Sequence, residues 1–226
     1  MLNYLIRVRL PDRPGALGAV ASRIGSVGGD VISFEILQRD NGVVVDELGV
    51  GLPGESLIDL LREEILEVDG VSIESIRQVE GALPDRDSEL LDVATELFKQ
   101  TSATGLLEHL TIRVRRSLAA NFVAVMDTDT SDVVASAGDM PAAEQLVVMS
   151  RWAVEPLPAT IGSAHSLPGV ADSSLAPEGP PVATADMVQA GLVLIVGRTE
   201  PVLRARERQW ISIMAELADH GWRVFV

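Results

Sequence analysis

Two short turns hold the residues of this chain best suited to chemistry: Asp12-Arg13-Pro14-Gly15-Ala16-Leu17 and Gly28-Gly29-Asp30-Val31-Ile32. Between them Leu17, Val20, Ala21, Ile24 and Val27 recur at intervals of three and four, which is one face of a helix of roughly three turns. The N–H groups of Gly15, Ala16 and Leu17 thus fall at a helix start, where donors lack helical acceptors and the positive end of the dipole suits a carboxylate. Glycine at 15 lets a ligand approach the backbone. Asp12 and Asp30 add carboxylates suited to an ammonium group, so one zwitterion could satisfy both ends of such a site. Arg13 is expected to face solvent. The chemistry is recognition rather than catalysis, since no nucleophile or acid–base pair stands beside it. A second reading needs no ligand: Asp12 caps the helix, and Gly28-Gly29-Asp30 is a helix stop and turn.

The elements that must position these turns are legible in the first eighty residues. Tyr4, Ile6, Val8 and Leu10 alternate with Leu5, Arg7 and Arg9, the period of a strand with one buried face. After the helix, Asp30–Arg39 and Val43–Gly51 are two β-branched runs joined by Asp40-Asn41-Gly42, a hairpin signal that predicts antiparallel pairing. Ser56 is placed to cap a helix reaching Glu67, with Leu57, Leu60, Leu61 and Ile65 on its apolar side. Asp69-Gly70 then turns the chain into a last strand, Val71–Val79. The order β-α-β-β-α-β predicts a ferredoxin-like α+β domain, with two helices on one face of a four-stranded antiparallel sheet.

Periodicity stops over Glu80–Asp87, giving a division into a domain at 1–80, a linker at 81–87 and a second domain at 88–226. In the second, Leu90, Leu91, Ala94, Leu97 and Phe98 form one helical stripe, and Leu106, Leu107, Leu110, Val114 and Leu118 another. Phe122–Met126 and Val133–Ala137 read as a hairpin around a polar turn, and Ala142–Val154 as a helix. Residues 156–186 hold six of the twelve prolines and are expected to form a long loop. Gly191–Gly197 is then a buried strand, Val202–Asp219 a helix, and Trp222–Val226 a short terminal strand.

Composition narrows the function class. With 47% apolar and 23% charged residues, the 226-residue chain is expected to be soluble and globular. Its formal net charge of −15 is spread along the chain, with 14 acids against 7 arginines before residue 81, so neither half offers a basic face. Nucleic acid and anionic membrane surfaces are therefore not expected as partners. The absence of cysteine excludes disulfides, thiolate metal sites and cysteine nucleophiles. The N-terminus enters a strand without a signal-peptide pattern, and the longest apolar run, Ala190–Gly197, is far too short to span a bilayer, so a cytoplasmic location is expected. Asp127, Asp129 and Asp132 lack the glycine and terminal glutamate of a calcium loop, and His109, His165 and His220 are scattered. Arg113, Arg115 and Arg116 spread around a helix near Glu108 as a solvated face. No metal and no cofactor is expected.

The segment Leu10-Pro11-Asp12-Arg13-Pro14-Gly15-Ala16-Leu17, the helix after it and Gly28-Gly29-Asp30-Val31-Ile32 resemble the ACT family, regulatory modules that bind amino acids. The resemblance extends to about residue 80. It implies a homodimer joined edge to edge or face to face, with the amino acid bound between subunits. Leu10, Asp12, Gly15, Ala16 and Leu17 of one subunit and Asp30, Val31 and Ile32 of the other would contact it. Asp30 departs from the asparagine frequent there; an ionised aspartate only accepts hydrogen bonds, which favours a neutral or cationic amino acid. Residues 88–222 resemble a divergent GAF domain, a small-molecule sensor fold, through the paired helices, the hairpin at 122–137 and Ala190–Arg198 before a closing helix. That resemblance assigns no ligand to the second half. The expected function is a non-catalytic amino-acid sensor; the alternative is a ligand-free dimerisation or interaction module that regulates a separately encoded enzyme or transcription factor.

Overall fold

The structure, a computed structural model, describes residues 1–154 and 182–225. It divides into two compact units, one ending at Pro84 and one starting at Asp85. Each is mixed α and β around a four-stranded antiparallel sheet, the first ferredoxin-like. Among the described residues no helix is long and apolar enough to cross a membrane.

The first unit runs β1 (Leu2–Pro11), α1 (Ala16–Ser26), β2 (Asp30–Asp40), β3 (Val43–Leu52), α2 (Ile58–Leu66) and β4 (Ser72–Val79), with sheet order β2-β3-β1-β4. The Asn41-Gly42 step makes the expected tight hairpin, both residues having positive φ, and β2 and β3 pair antiparallel from Asp40↔Val43 to Asp30↔Gly51. Tyr4, Ile6, Val8 and Leu10 of β1 and Val44, Leu48, Val50 and Leu52 of β3 meet Val20 and Ile24 of α1 and Leu61 and Ile65 of α2 in one core. Gly28, at φ 75°, and Gly29 stop α1; a Cβ on Gly29 would press on Ile24 and Leu52, so the second glycine is also a packing requirement.

Three expectations for this unit need correction. The first concerns β1, which does not have a single buried face. Leu5 and Arg7 are buried on the back of the sheet, where Arg7 Nη2 donates to the opposed Glu47 Oε2 at 2.9 Å. The chain after β4 folds across that back, with Asn3 Nδ2 donating to Gly81 O at 2.7 Å and Leu83 seated against Gly49. The second concerns Ser56, which caps nothing: a 3₁₀ turn at Glu55–Leu57 starts at Gly54 and leads into α2. Gly54 is the extended residue before that turn, so Ser56 already lies inside it and not in the extended conformation a cap requires. The third concerns Asp12, which is not a helix cap. The N-cap of α1 is Gly15, in the left-handed region at φ 86°, without any side-chain bond.

The second unit runs α3 (Arg86–Leu97), α4 (Ala103–Leu118), β5 (Phe122–Asp127), β6 (Val133–Gly138), α5 (Ala143–Val154), β7 (Val182–Met187), β8 (Leu192–Gly197) and α6 (Ala205–Trp222), with sheet order β6-β5-β8-β7. Helix α3 starts inside the stretch read as linker because Asp85 caps it, accepting from Asp87 and Ser88 N–H. Residues such as Val123, Leu194, Val114 and Ile211 join one sheet face to α3, α4 and α6, while Phe122, Ala124, Val193 and Ile195 join the other to Leu146 and Met149 of α5. Two expectations differ here. Residues 182–186 of the expected loop form most of β7, paired along β8, and the loop's earlier part, through residue 181, lies outside the described residues. Residues 223–225 are a turn after α6 rather than a strand, since the N–H groups of Val224 and Phe225 bond back to Gly221 O and Trp222 O.

The ring of Phe122 lies directly over Gly197, where a Cβ would overlap it. Gly197→Ala is expected to destabilise the second unit by about 1–3 kcal/mol through overpacking, seen as a lower urea midpoint; an unchanged midpoint would show that the ring can move aside.

Candidate functional site

The register of the first sheet decides what the two turns can do. β2 and β1 run in the same direction on either side of β3, so Asp30 and Asn3 both pair with Gly51, whereas Leu10 and Arg39 both pair with Val44. Seven residues of β3 separate those levels, about 24 Å at roughly 3.4 Å per residue. The turn after β1 and the start of β2 therefore lie at opposite ends of the sheet. One chain cannot close a pocket from both.

At the first end, Leu10 is core and Asp12 is exposed, its N–H donating to Gly42 O at 2.8 Å and its Oδ2 lying 3.3 Å from Arg39 Nε. Gly15 supplies the left-handed turn that starts α1. Ala16 is buried, and its N–H reaches Arg13 O at 3.3 Å, so of the three donors expected to be open this one is engaged. The first helical bond runs from Ala19 N–H to Gly15 O, which leaves the N–H groups of Leu17 and Gly18 without an acceptor among the described residues. A Cβ at Gly15 or Gly18 would meet nothing within 4 Å, so the space beside these two glycines is open. Arg13 is exposed, 3.6 Å from Asp69 Oδ2. At the other end, Asp30 is exposed and unpaired among the described residues, Val31 packs on the core, and Ile32 is exposed.

Two residues that sequence reasoning passed over complete the first end. Arg39 pairs with Val44, which puts it on the helix-covered face, from where it reaches over to Asp12. Asp46 lies two residues further along that face of β3, between Val8 of β1 and Ile36 of β2. It is only 2% exposed, and its Oδ1 has no hydrogen-bond partner. Burial pushes the Asp46 carboxyl above its ordinary range; Arg39 opposes that rise and Asp12 adds to it. The signal was available: the core-facing positions of β3 read Val44, Asp46, Leu48, Val50 and Leu52, one carboxylate in an apolar stripe.

Other polar groups serve structure. Asp127 accepts from the N–H groups of Asp129 and Thr130, which closes its own turn and holds its carboxyl below the usual range. Arg198 and the buried Glu207 pair at 2.8 Å, and Arg198 also donates to the carbonyls of Leu118, Pro201 and Val202, pinning α6 to the sheet. His109 lies 2.9 Å from Glu96 and joins α4 to α3. Among the described residues no group of three or more such side chains is placed to hold a metal ion.

No protein-family model matches the chain, and no curated protein matches it. Its structural neighbours include both ACT and GAF domains. An ACT domain protein from Streptococcus pneumoniae is 18% identical over 34% of this chain and 89% of its own, with a TM-score of 0.29. The ACT domain of a GTP pyrophosphokinase from Chlorobium tepidum is 13% identical over 37% of this chain and 91% of its own, at 0.29. The GAF domain of a phosphoenolpyruvate-protein phosphotransferase from Coxiella burnetii is 12% identical over 60% of this chain and 91% of its own, at 0.43.

A buried carboxylate without a donor costs stability. Because the carboxyl of Asp46 is raised in the folded state, the native protein holds that proton more tightly than the unfolded one, and stability is lost as pH rises through the folded value. Asp46→Val is therefore expected to stabilise the protein by about 1 kcal/mol at pH 7, with the gain shrinking as pH falls through the carboxylate range. Urea unfolding at pH 7 and pH 4 checks both parts. A loss of stability at pH 7 would mean that the ionised carboxylate is a stabilising group.

Proposed function

We propose that the chain is a non-catalytic regulatory protein whose residues 1–80 bind an amino acid between two copies of the chain, and whose GAF-like residues 88–226 send or receive the signal. The observation that carries this reading is the separation of the two turns within one sheet, taken together with the edge between them. β2 is an edge strand exposing Phe34 and Ile36 on the helix-covered face, at 61% and 42%, and Ile32 on the other face at 53%, apolar residues that invite a partner strand.

A second β2, antiparallel and centred near Phe34, would lay Phe34 against its own copy. It would also bring the partner's Asp30, Val31 and Ile32 up to the end of β2 that holds Arg39, and so toward Asp12 and the start of α1. Two bulges in β2, after Val31 and after Ile36, confine regular pairing to the short stretch around Phe34. In the assembled site Leu10 backs the turn, Gly15 gives clearance, and the open donors at the start of α1 take the carboxylate, with Leu17 and Gly18 supplying them in place of Ala16. A ligand touching both subunits stabilises the dimer in proportion to its binding. The acidic balance of the sequence supports a protein that meets neither nucleic acid nor an anionic membrane surface, and a cytoplasmic location is part of this reading.

One observation favours the alternative, a ligand-free interaction module acting on a separately encoded enzyme or transcription factor: the Asp12 carboxylate is already paired with Arg39. A thermal-shift panel of the twenty amino acids on the wild type and Asp30→Ala separates the two. At least one amino acid is expected to raise the wild-type midpoint by several degrees, with most of that shift lost in Asp30→Ala. No response to any amino acid supports the module, and equal shifts in both proteins mean that Asp30 is not in the site. In sedimentation velocity, Phe34→Lys is expected to be monomeric where the wild type is dimeric; a dimeric variant would move the interface elsewhere.

A further inference from the structure

Resting on that reading, we infer that Asp46 is the residue that holds the ligand's ammonium group, and that the ligand is an α-amino acid with an uncharged, apolar side chain. The charges around the first turn do not balance. Arg39 lies 3.3 Å from Asp12 and also acts on Asp46, so two carboxylates draw on one guanidinium. Asp46 Oδ1 is shut from solvent and receives no hydrogen bond, while its neighbours in register, Val8 and Ile36, have no side-chain donor to give. An ammonium group supplies three donors and one positive charge, which are what this carboxylate lacks.

The complementary group lies over the same face, where α1 starts after β1. Leu17 and Gly18 offer two N–H groups without an acceptor among the described residues at the positive end of α1, and these suit a carboxylate. A carboxylate acceptor and a pair of backbone donors on one face of the sheet match the two ends of an α-amino acid. They do not match an inorganic anion, which Asp12 and Asp46 would repel, nor a simple amine, which would leave the donors at the helix start unfilled.

Side-chain preference follows from what lies beyond Asp46. Ile36 stands opposite it on β2, and Phe34 is next on the same face; both are largely exposed and apolar. A ligand side chain directed along β2 covers these two residues, and its burial there is favourable only when it carries no charge. Acidic side chains would in addition approach Asp12 and Asp46.

Isothermal titration calorimetry on the full chain and on Asp46→Asn tests this, using leucine, isoleucine, phenylalanine, lysine, aspartate and 4-methyl-2-oxopentanoate. The last keeps the leucine side chain and carboxylate and lacks the ammonium group. At least one apolar amino acid is expected to bind the wild type more tightly than lysine and aspartate, and to lose tenfold or more in affinity in Asp46→Asn. The oxo acid is expected to bind the wild type more weakly than leucine does, and to bind Asp46→Asn no more weakly than the wild type, a pattern that a purely structural role for Asp46 would not produce. Equal binding of the apolar amino acids to both proteins overturns the role of Asp46 and leaves amino-acid sensing in place. Tighter binding of lysine or aspartate than of any apolar amino acid overturns the assigned ligand class. Absence of binding by every amino acid overturns this inference and the sensing function together.

Discussion

The register of the first sheet is the constraint on which everything else depends. Because β1 and β2 flank β3 in the same direction, a residue at the end of β1 and one at the start of β2 are held about a sheet's length apart. No side chain bridges that span. The turn that opens α1 and the turn that follows it can share a ligand only if a second sheet is brought alongside. The exposed Phe34 and Ile36 of β2 mark the edge where that can happen.

Within this frame the fold and the site pull in different directions at Asp46. The other core-facing residues of β3 are Val, Leu, Val and Leu, and a fifth apolar residue would pack between Val8 and Ile36 at no electrostatic cost. The carboxylate stands there unsatisfied, and such groups in native structures call for a functional reason. In the proposed role of Asp46, a ligand cation would resolve the conflict by pairing with the charge, and the stability given up in the empty protein would return as binding free energy.

Much of this was legible in the sequence, and what was not has identifiable causes. The β-α-β-β-α-β order followed from period-two and period-three-to-four patterns and from Asn41-Gly42, because local backbone preferences and one apolar face suffice to set those elements. The burial of Leu5 and Arg7 was invisible, since it depends on the chain after β4 folding over the back of the sheet. The distance between Asp12 and Asp30 was equally invisible, as it is a property of strand order and not of spacing along the chain. Arg39 was hidden because its role comes from a cross-strand reach to Asp12. Asp46 was within reach: it breaks the alternation of β3, but the surrounding valines drew attention to the strand rather than to its exception. In the second unit the Gly191–Gly197 run announced its strand, whereas β7 lay at the end of a proline-rich stretch whose composition reads as loop.

Subunit complementation tests the central claim, a site shared between two copies, most directly. Asp46→Asn and Asp30→Ala chains are mixed, unfolded and refolded together, and amino-acid binding is measured against each variant alone. In a shared site every mixed dimer carries one intact site and one doubly altered site. Each variant alone should then bind poorly, and the mixture should regain tight binding at up to one ligand per mixed dimer. A mixture that binds no better than the average of the two separate variants would contradict a shared site.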